Sequence, residues 1–143
     1  MESELIREAR ALAEKIFSDS HFDNYYFHNL NHTKEVVNAV TEIGEQSSLT
    51  KEELEAATVA AWLHDTGYLQ GPINHEEASV KIAGDLFRRL STPVGKINLI
   101  NNAILATRIP QSPKSMVDKV LCDADLYHLS EKNYDSKGTL LRH

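Results

Sequence analysis

Apolar residues recur at helical spacing along most of the chain. They follow the i, i+3, i+4 and i+7 pattern over residues 2 to about 18, and a second segment carries Val36, Val37, Val40 and Ile43 in the same way. No stretch alternates apolar and polar residues for long enough to predict a strand. The hydrophobic pattern therefore predicts an all-α fold with about six helices.

Capping signals indicate where the third and fourth helices begin. Thr50 precedes Glu53 at the spacing of a capping box, in which each side chain accepts a hydrogen bond from the other residue's backbone N–H. Gly67 is predicted to end this third helix, because glycine is favoured just beyond a helix C-terminus. Asn74 and Glu77 repeat the capping pattern before a fourth helix.

Prolines delimit the last two helices. Thr92-Pro93 suits the cap and first turn of a fifth helix, and Pro110 and Pro113 interrupt the chain after it. A sixth helix is then predicted over about residues 115–129. The polar tail that follows, KNYDSKGTLLRH, indicates either a frayed end or a chain that stops short of its natural end.

Composition narrows the classes of function. The 143 residues, 41% hydrophobic and 25% charged, predict one globular domain over residues 1–143. Lys and Arg total 15 against 21 Asp and Glu, so no broad basic surface is available for duplex nucleic acid or anionic lipid. Cys122 is the single cysteine, which fits a reducing compartment. Because no 18 apolar residues run together, we expect a cytoplasmic protein without a membrane span.

Imidazole and carboxylate groups stand beside apolar helical residues in four segments: YYFHNLNHT, WLHDTG, INHEEAS and VLCDADLYHL. A single histidine in such a place is more often a hydrogen-bonded core residue than a metal ligand. A pair four residues apart lies on one helix face, but such pairs also occur on ordinary surfaces. The groups in these segments that could carry chemistry are His28, His32, His64, Asp65, His75, Asp123 and Asp125.

Asp65 favours the metal interpretation. It follows AAWLH, where burying a carboxylate is costly unless the group is paired or coordinates a cation. A helix cap is the alternative, but the dipole disfavours negative charge near a helix C-terminus. Asp123 and Asp125 pose the same problem in the last helix. One or two divalent cations bound between helices would account for these acids and for the imidazoles together.

In their order, spacing and apolar context, these residues resemble the HD-domain superfamily of metal-dependent phosphohydrolases. The resemblance covers roughly residues 20–130. Its first motif, YFHNLNHT at residues 26–33, is also similar to the Tyr-His-Asn-x-x-His signature of cyclic-nucleotide phosphodiesterases, with Phe27 interrupting the Tyr-His pair. The resemblance implies a compact helical bundle of the HD-domain type.

The resemblance also implies a role for each matching residue. Asp65 would orient the attacking water in addition to binding the metal, and His28 would protonate the leaving group as general acid. Asp123 would be a nearby acid, although the roles of Asp123 and Asp125 could be exchanged. The metal ligands implied by the resemblance are His32, His64, Asp65 and Asp125.

The resemblance departs from the pattern of members with two metals. Those members carry two further histidines between the His-Asp pair and the last acid, and His75 matches the first of them. The second usually precedes a threonine, whereas here Ala106 precedes Thr107. We therefore expect a one-metal or asymmetric site, in which His75 and Asp123 either bind a second cation or support the first ligands.

Two histidines and two carboxylates suit Mn, Fe, Ni, Co or Zn better than Ca, and Mg is a further candidate for the bound cation. Such a cation lowers the pKa of bound water and leaves room for a phosphoryl oxygen. The implied activity is hydrolysis of a phosphomonoester or phosphodiester of a nucleotide-like small molecule. Arg108 and Lys81 would help to hold the substrate phosphate. The alternative for each is a position on a solvated helix face or loop, without a role in binding.

Two other functions stay open at this point. One is a noncatalytic nucleotide-sensing or partner-binding module that keeps the metal for folding. The other is an HD-type iron oxygenase, which would need a di-iron ligand set that Ala106 weakens. A homo-oligomer is compatible with each of these functions.

Overall fold

The computed structural model describes residues 2–18, 23–67, 74–108 and 110–132, without the side chains of residues 23–29 and 127–132. The described residues form six helices and no strand, which confirms the predicted all-α class. None of these helices is long and apolar enough to cross a membrane. They are α1 (Glu4–Ser18), α2 (Asp23–Gln46), α3 (Lys51–Leu63), α4 (His75–Arg89), α5 (Val94–Ala106) and α6 (Met116–Lys132).

Helix α3 lies at the centre of the bundle and contacts the five other helices. Its last eight residues, Ala56 to Leu63, are all buried. A helix that is apolar on every side is typical of a position surrounded by protein, and the four alanines in this run let the neighbouring helices approach closely. The chain therefore carries His64 and Asp65, which follow directly, into the interior of the bundle.

The predicted capping box at the start of α3 is present. Thr50 Oγ1 accepts a hydrogen bond from the Glu53 backbone N at 3.1 Å, and Glu53 Oε1 accepts one from the Thr50 backbone N at 2.9 Å. These bonds satisfy two backbone donors that the helix itself leaves unpaired. They fix the start of the central helix.

The fourth and fifth helices begin where the sequence predicted, but without the predicted side-chain caps. Asn74 precedes α4 with a left-handed backbone, φ 60° and ψ 30°, and makes no capping hydrogen bond. Side-chain caps belong to residues with extended backbone, so the Asn74 backbone conformation explains the difference. Before α5 the cap residue is Pro93 rather than Thr92, and it has no side-chain donor or acceptor to contribute.

A second capping box, which the sequence analysis missed, fixes the start of α6. Ser115 Oγ accepts a hydrogen bond from the Asp118 backbone N at 3.1 Å, and Asp118 Oδ2 accepts one from the Ser115 backbone N at 3.3 Å. The Lys114 backbone N donates to the same oxygen at 3.0 Å. This cap anchors the helix that carries Asp125. The polar tail after α6 lies outside the described residues.

Candidate metal centre

The four residues that the resemblance implied as metal ligands come together at one end of α3. His32 comes from α2, His64 and Asp65 directly follow α3, and Asp125 comes from α6. The His32 Nε2 atom lies 2.9 Å from Asp125 Oδ1 and 3.7 Å from Asp65 Oδ2. The His64 Nε2 atom lies 3.4 Å from Asp65 Oδ2 and 3.6 Å from Asp125 Oδ1. Two imidazole nitrogens and two carboxylates therefore face one small volume.

The tightest part of this group consists of His32, His64 and Asp125. Each offers one ligand atom, and these atoms lie within 4.8 Å of one another. Metal–nitrogen and metal–oxygen bonds of about 2.0 to 2.2 Å fit between atoms at such separations. The imidazole planes of the two histidines are inclined at 61° to each other, with ring centroids 5.9 Å apart. The spacing and the donor types therefore suit a divalent transition metal.

The orientation of His64 provides a direct test of whether a metal fits. Its Nδ1 atom donates to the Ala61 carbonyl oxygen at 2.8 Å, so Nε2 is the nitrogen that can carry either a proton or a metal. Nε2 is buried and makes no hydrogen bond. A buried polar atom without a partner is costly, and a cation would supply the missing interaction. The residues present therefore fit a bound metal.

Electrostatics favour positive charge at the same point. Burial lowers the pKa of the His64 imidazole, but the negative charges of Asp65 and Asp125 outweigh burial and raise this pKa to about 10. Burial raises the pKa of both carboxyl groups, and the neighbouring imidazoles reverse that effect, so both pKa values lie below their usual range. The two acids thus hold negative charge in the interior, where either a proton or a metal cation can balance it.

Asp65 also contacts a second group of residues on α4. The His75 Nε2 atom lies 3.3 Å from Asp65 Oδ1 and 3.2 Å from Glu76 Oε2. Glu76 is buried, and the sequence analysis did not select it. The HEE sequence at a helix start has an ordinary explanation, because the helix dipole favours acids there. The available signal for Glu76 was its position next to His75, a histidine that matches the family pattern.

Ser79, which the sequence analysis also missed, connects α4 to the turn that carries Asp65. Its hydroxyl donates to the His64 carbonyl oxygen at 2.8 Å and accepts a hydrogen bond from the Gly67 backbone N at 2.8 Å. All three groups are buried. These two bonds fix the backbone of the His-Asp pair against α4. A small hydroxyl residue in a helix gives no sequence signal for this role.

Gln111 is a further residue that the sequence analysis missed. It follows Pro110, and its Nε2 atom donates to Asp125 Oδ2 at 3.3 Å. Asp125 Oδ1 is the oxygen that faces His32 and His64. Gln111 therefore holds the Asp125 carboxylate with its other oxygen turned toward the imidazoles, as hydrogen-bond partners of metal ligands commonly do.

Replacing Gln111 by Ala is expected to weaken divalent metal binding by about 10- to 100-fold, because Asp125 loses the hydrogen bond that orients it. Isothermal titration of Mn²⁺ into the metal-free protein measures the change. Gln111→Glu gives a second comparison, since a carboxylate there cannot donate and would repel Asp125. An unchanged Mn²⁺ affinity in both variants would mean that Gln111 does not position this carboxylate.

Three of the other selected residues, Asp123, Lys81 and Arg108, lie outside the ligand group. Asp123 is exposed on α6, about 200° around the helix from Asp125, so it does not support the ligands directly. Lys81 is exposed on α4. Arg108 is half-exposed, forms an ion pair with Glu77, and places its Nε atom 3.9 Å from Glu76 Oε1. The side chain of His28, the implied general acid, lies outside the described residues.

Ala106 occupies the position where two-metal members carry a second histidine. It is buried, and its carbonyl oxygen accepts a hydrogen bond from Cys122 Sγ at 3.3 Å. Burial, together with the negative charges of Asp125, Asp118 and Asp123, raises the pKa of the Cys122 thiol to about 12. The thiol therefore stays protonated near neutral pH.

Comparisons with known proteins show the fold and the family of the chain. The chain is similar to a predicted HD superfamily hydrolase from an uncultured Thermotogales bacterium, known from a crystal structure, with a TM-score of 0.68 and 22% sequence identity. That match covers 92% of this chain and 79% of the other, and it shows a common fold. No curated protein matches the sequence significantly. A family model described as HD domain matches residues 29–130, well over half of the sequence, and the chain therefore belongs to the HD domain family.

Proposed function

We propose that this protein is a metal-dependent phosphohydrolase that cleaves a phosphomonoester or phosphodiester bond of a nucleotide-like small molecule. The observation that carries the proposal is the buried Nε2 atom of His64, which makes no hydrogen bond and faces two ionised carboxylates. Family membership supports the same chemistry. We propose that one domain over residues 1–143 carries this activity.

His32, His64, Asp65 and Asp125 would hold the divalent cation. When bound, the cation supplies Lewis acidity toward phosphoryl oxygens and makes water more acidic near pH 7. The donor set suits Mn, Fe, Ni, Co or Zn, and Mg is included in the proposal. The low exposure of these side chains excludes bulk water from the ligands and limits their motion, which favours a preorganised site.

Asp65 and His28 would share the proton transfers. The Asp65 carboxylate stays ionised, so it can accept a hydrogen bond from the attacking water and direct its lone pair at phosphorus. His28 lies one turn before His32 on α2, and an imidazole there would protonate the departing alkoxide. Both assignments rest on the family resemblance as well as on position.

Positive charge for the substrate phosphate would come from the metal and from Arg108. The Arg108 guanidinium is half-exposed next to the acids of α4, at the edge of the ligand group, where it could exchange Glu77 for a phosphate oxygen. Lys81 is a weaker candidate, because its side chain is exposed on α4. The net charge of −6 favours a small anion held locally over a nucleic-acid polymer.

A noncatalytic nucleotide-sensing or partner-binding module is the second candidate, and Ala106 favours it because a full two-histidine second site is missing. In that case the metal would stabilise the fold without turnover. The two candidates predict the same metal content but different activity.

The test is hydrolysis by metal-free protein reconstituted separately with Mn, Ni, Co, Zn and Mg. We expect metal-dependent release of p-nitrophenol from p-nitrophenyl phosphate or from its diester, reduced about 10³-fold in Asp65→Ala. Circular dichroism checks that the variant remains helical. Bound metal without turnover of either ester or of a panel of nucleotides would favour the noncatalytic module. Turnover by iron-free protein would exclude the oxygenase.

A further inference from the structure

We infer that the protein binds an uncharged heteroaromatic molecule in a cleft between α1, α2 and α3. Such a molecule would carry a ring nitrogen or a carbonyl oxygen that accepts a hydrogen bond from the Trp62 indole. The cleft shares no lining residue with the candidate metal centre. The inference therefore goes beyond the proposed function and does not depend on it.

The cleft is large enough for a small organic molecule and has an apolar part. Its volume is about 820 Å³, which is within the usual range of small-molecule sites. The apolar residues of its lining are Ile6, Val37, Leu54 and Trp62. The first three pack against the core but are only partly buried, so they keep apolar surface that a bound ring would cover.

Trp62 brings to this cleft a hydrogen-bond donor that the described part of the chain leaves without a partner. The residue lies near the end of α3 and is only 6% exposed. Its Nε1 atom is buried and makes no hydrogen bond. A buried indole N–H usually has a partner, because leaving it unpaired is costly. A ligand acceptor would supply that partner after a small movement of the ring that uncovers Nε1.

Polar groups near Trp62 suit the edge of a heteroaromatic ring. Thr58 lines the cleft one turn before Trp62, and its Oγ1 atom donates to the Leu54 carbonyl oxygen at 2.8 Å. The same oxygen keeps lone pairs that can accept a hydrogen bond. A ligand that accepts from Trp62 and donates to Thr58 would satisfy both groups. A plain hydrocarbon ring would leave the indole N–H unpaired, so the cleft favours a heteroaromatic molecule.

The charges around the cleft favour an uncharged ligand. Three cationic and three acidic side chains line it, and their charges cancel: Arg10, Lys51, Lys96, Glu2, Glu52 and Glu55. Arg10 is paired with Glu2, and Lys96 is paired with Glu55. The other two charged residues are adjacent in the sequence and exposed, so solvent screens both. A charged ligand would have to compete with these pairs, whereas a neutral one would leave them intact.

Nuclear magnetic resonance of the indole N–H tests the inference without measuring activity. The chain has a single tryptophan, so the isotope-labelled protein gives one indole N–H resonance, that of Trp62. Nicotinamide, adenine and uracil are the probes. We expect at least one of them to shift this resonance saturably, with a Kd of roughly 0.1 to 1 mM. Nicotinate has nearly the shape of nicotinamide but carries a negative charge, and it is expected to bind about tenfold more weakly.

Three variants locate the bound probe. Val37→Phe places a larger side chain in the lining and is expected to abolish the shift, whereas Val94→Phe is the matched control at a valine that is 71% exposed and outside the lining. Trp62→Phe keeps an apolar ring without the N–H, and ligand-observed spectra are expected to show binding weakened about 3- to 10-fold. Asp65→Ala is expected to bind the probe as the wild type does, because Asp65 does not line the cleft.

The outcomes separate this inference from the proposed function. No saturable shift with any of the three probes would overturn the inference and leave the proposed function intact. Binding that Asp65→Ala abolishes would also overturn it, because the probe would then occupy the metal centre. Unchanged affinity in a folded Val37→Phe or in Trp62→Phe would place the probe outside the cleft. If circular dichroism shows that Val37→Phe does not fold, Trp62→Phe decides the question alone.

Discussion

Asp125→Asn is expected to lose the metal and to reduce metal-dependent phosphate-ester hydrolysis by about 10² to 10³-fold. The amide has nearly the same shape as the carboxylate, so packing in α6 is preserved. It removes the negative charge that faces both His32 and His64 at 2.9 and 3.6 Å. Without that charge the site no longer compensates a cation for its lost hydration, and metal affinity falls by more than the 10- to 100-fold typical of a supporting residue.

Elemental analysis and hydrolysis assays on reconstituted protein measure both effects of Asp125→Asn. The matched control is Asp123→Asn, which removes an acid of the same helix only two residues away. Asp123 is exposed, so its variant is expected to retain metal and activity close to wild type. A loss confined to Asp123→Asn would show that the two acids have exchanged roles.

The sequence was sufficient to predict the helices and the four residues of the candidate ligand group, for identifiable reasons. Helical periodicity depends on burial of one face, and the Thr50–Glu53 capping box depends on residues three apart, so both are local signals. His64 and Asp65 stand out because strongly polar groups are costly in a run that is otherwise apolar. The order of His32, the His-Asp pair and Asp125 then matches a known family.

The supporting residues could not be predicted because their contacts are not local. Gln111 meets Asp125 only after the proline-containing loop folds back onto α6, and Ser79 meets His64 fifteen positions earlier in the chain. Glu76 has an ordinary explanation as an acid in the first turn of a helix. Each becomes meaningful only when α4 and the loop are placed against the end of α3.

Gly67→Ala is expected to lower the free energy of unfolding by about 3 kcal/mol and to disturb the α4 side of the metal centre. A Cβ atom at Gly67 would stand 2.0 Å from the His75 carbonyl oxygen and 2.7 Å from the Ser79 backbone N. Both are backbone atoms of the first turn of α4, so no side-chain rotation relieves the overlap. The helix must move away, which weakens the Gly67–Ser79 hydrogen bond and carries His75 from Asp65.

Thermal unfolding of metal-free protein measures this change, with an expected fall in Tm of roughly 10 °C for a chain of this size. Gly84→Ala is the matched control within α4: its Cβ would meet only an Arg88 side-chain nitrogen at 3.7 Å. Alanine there is expected to stabilise the helix by about 0.5 to 1 kcal/mol. If Gly67→Ala were as stable as Gly84→Ala, the turn after the His-Asp pair would not pack against α4 as described.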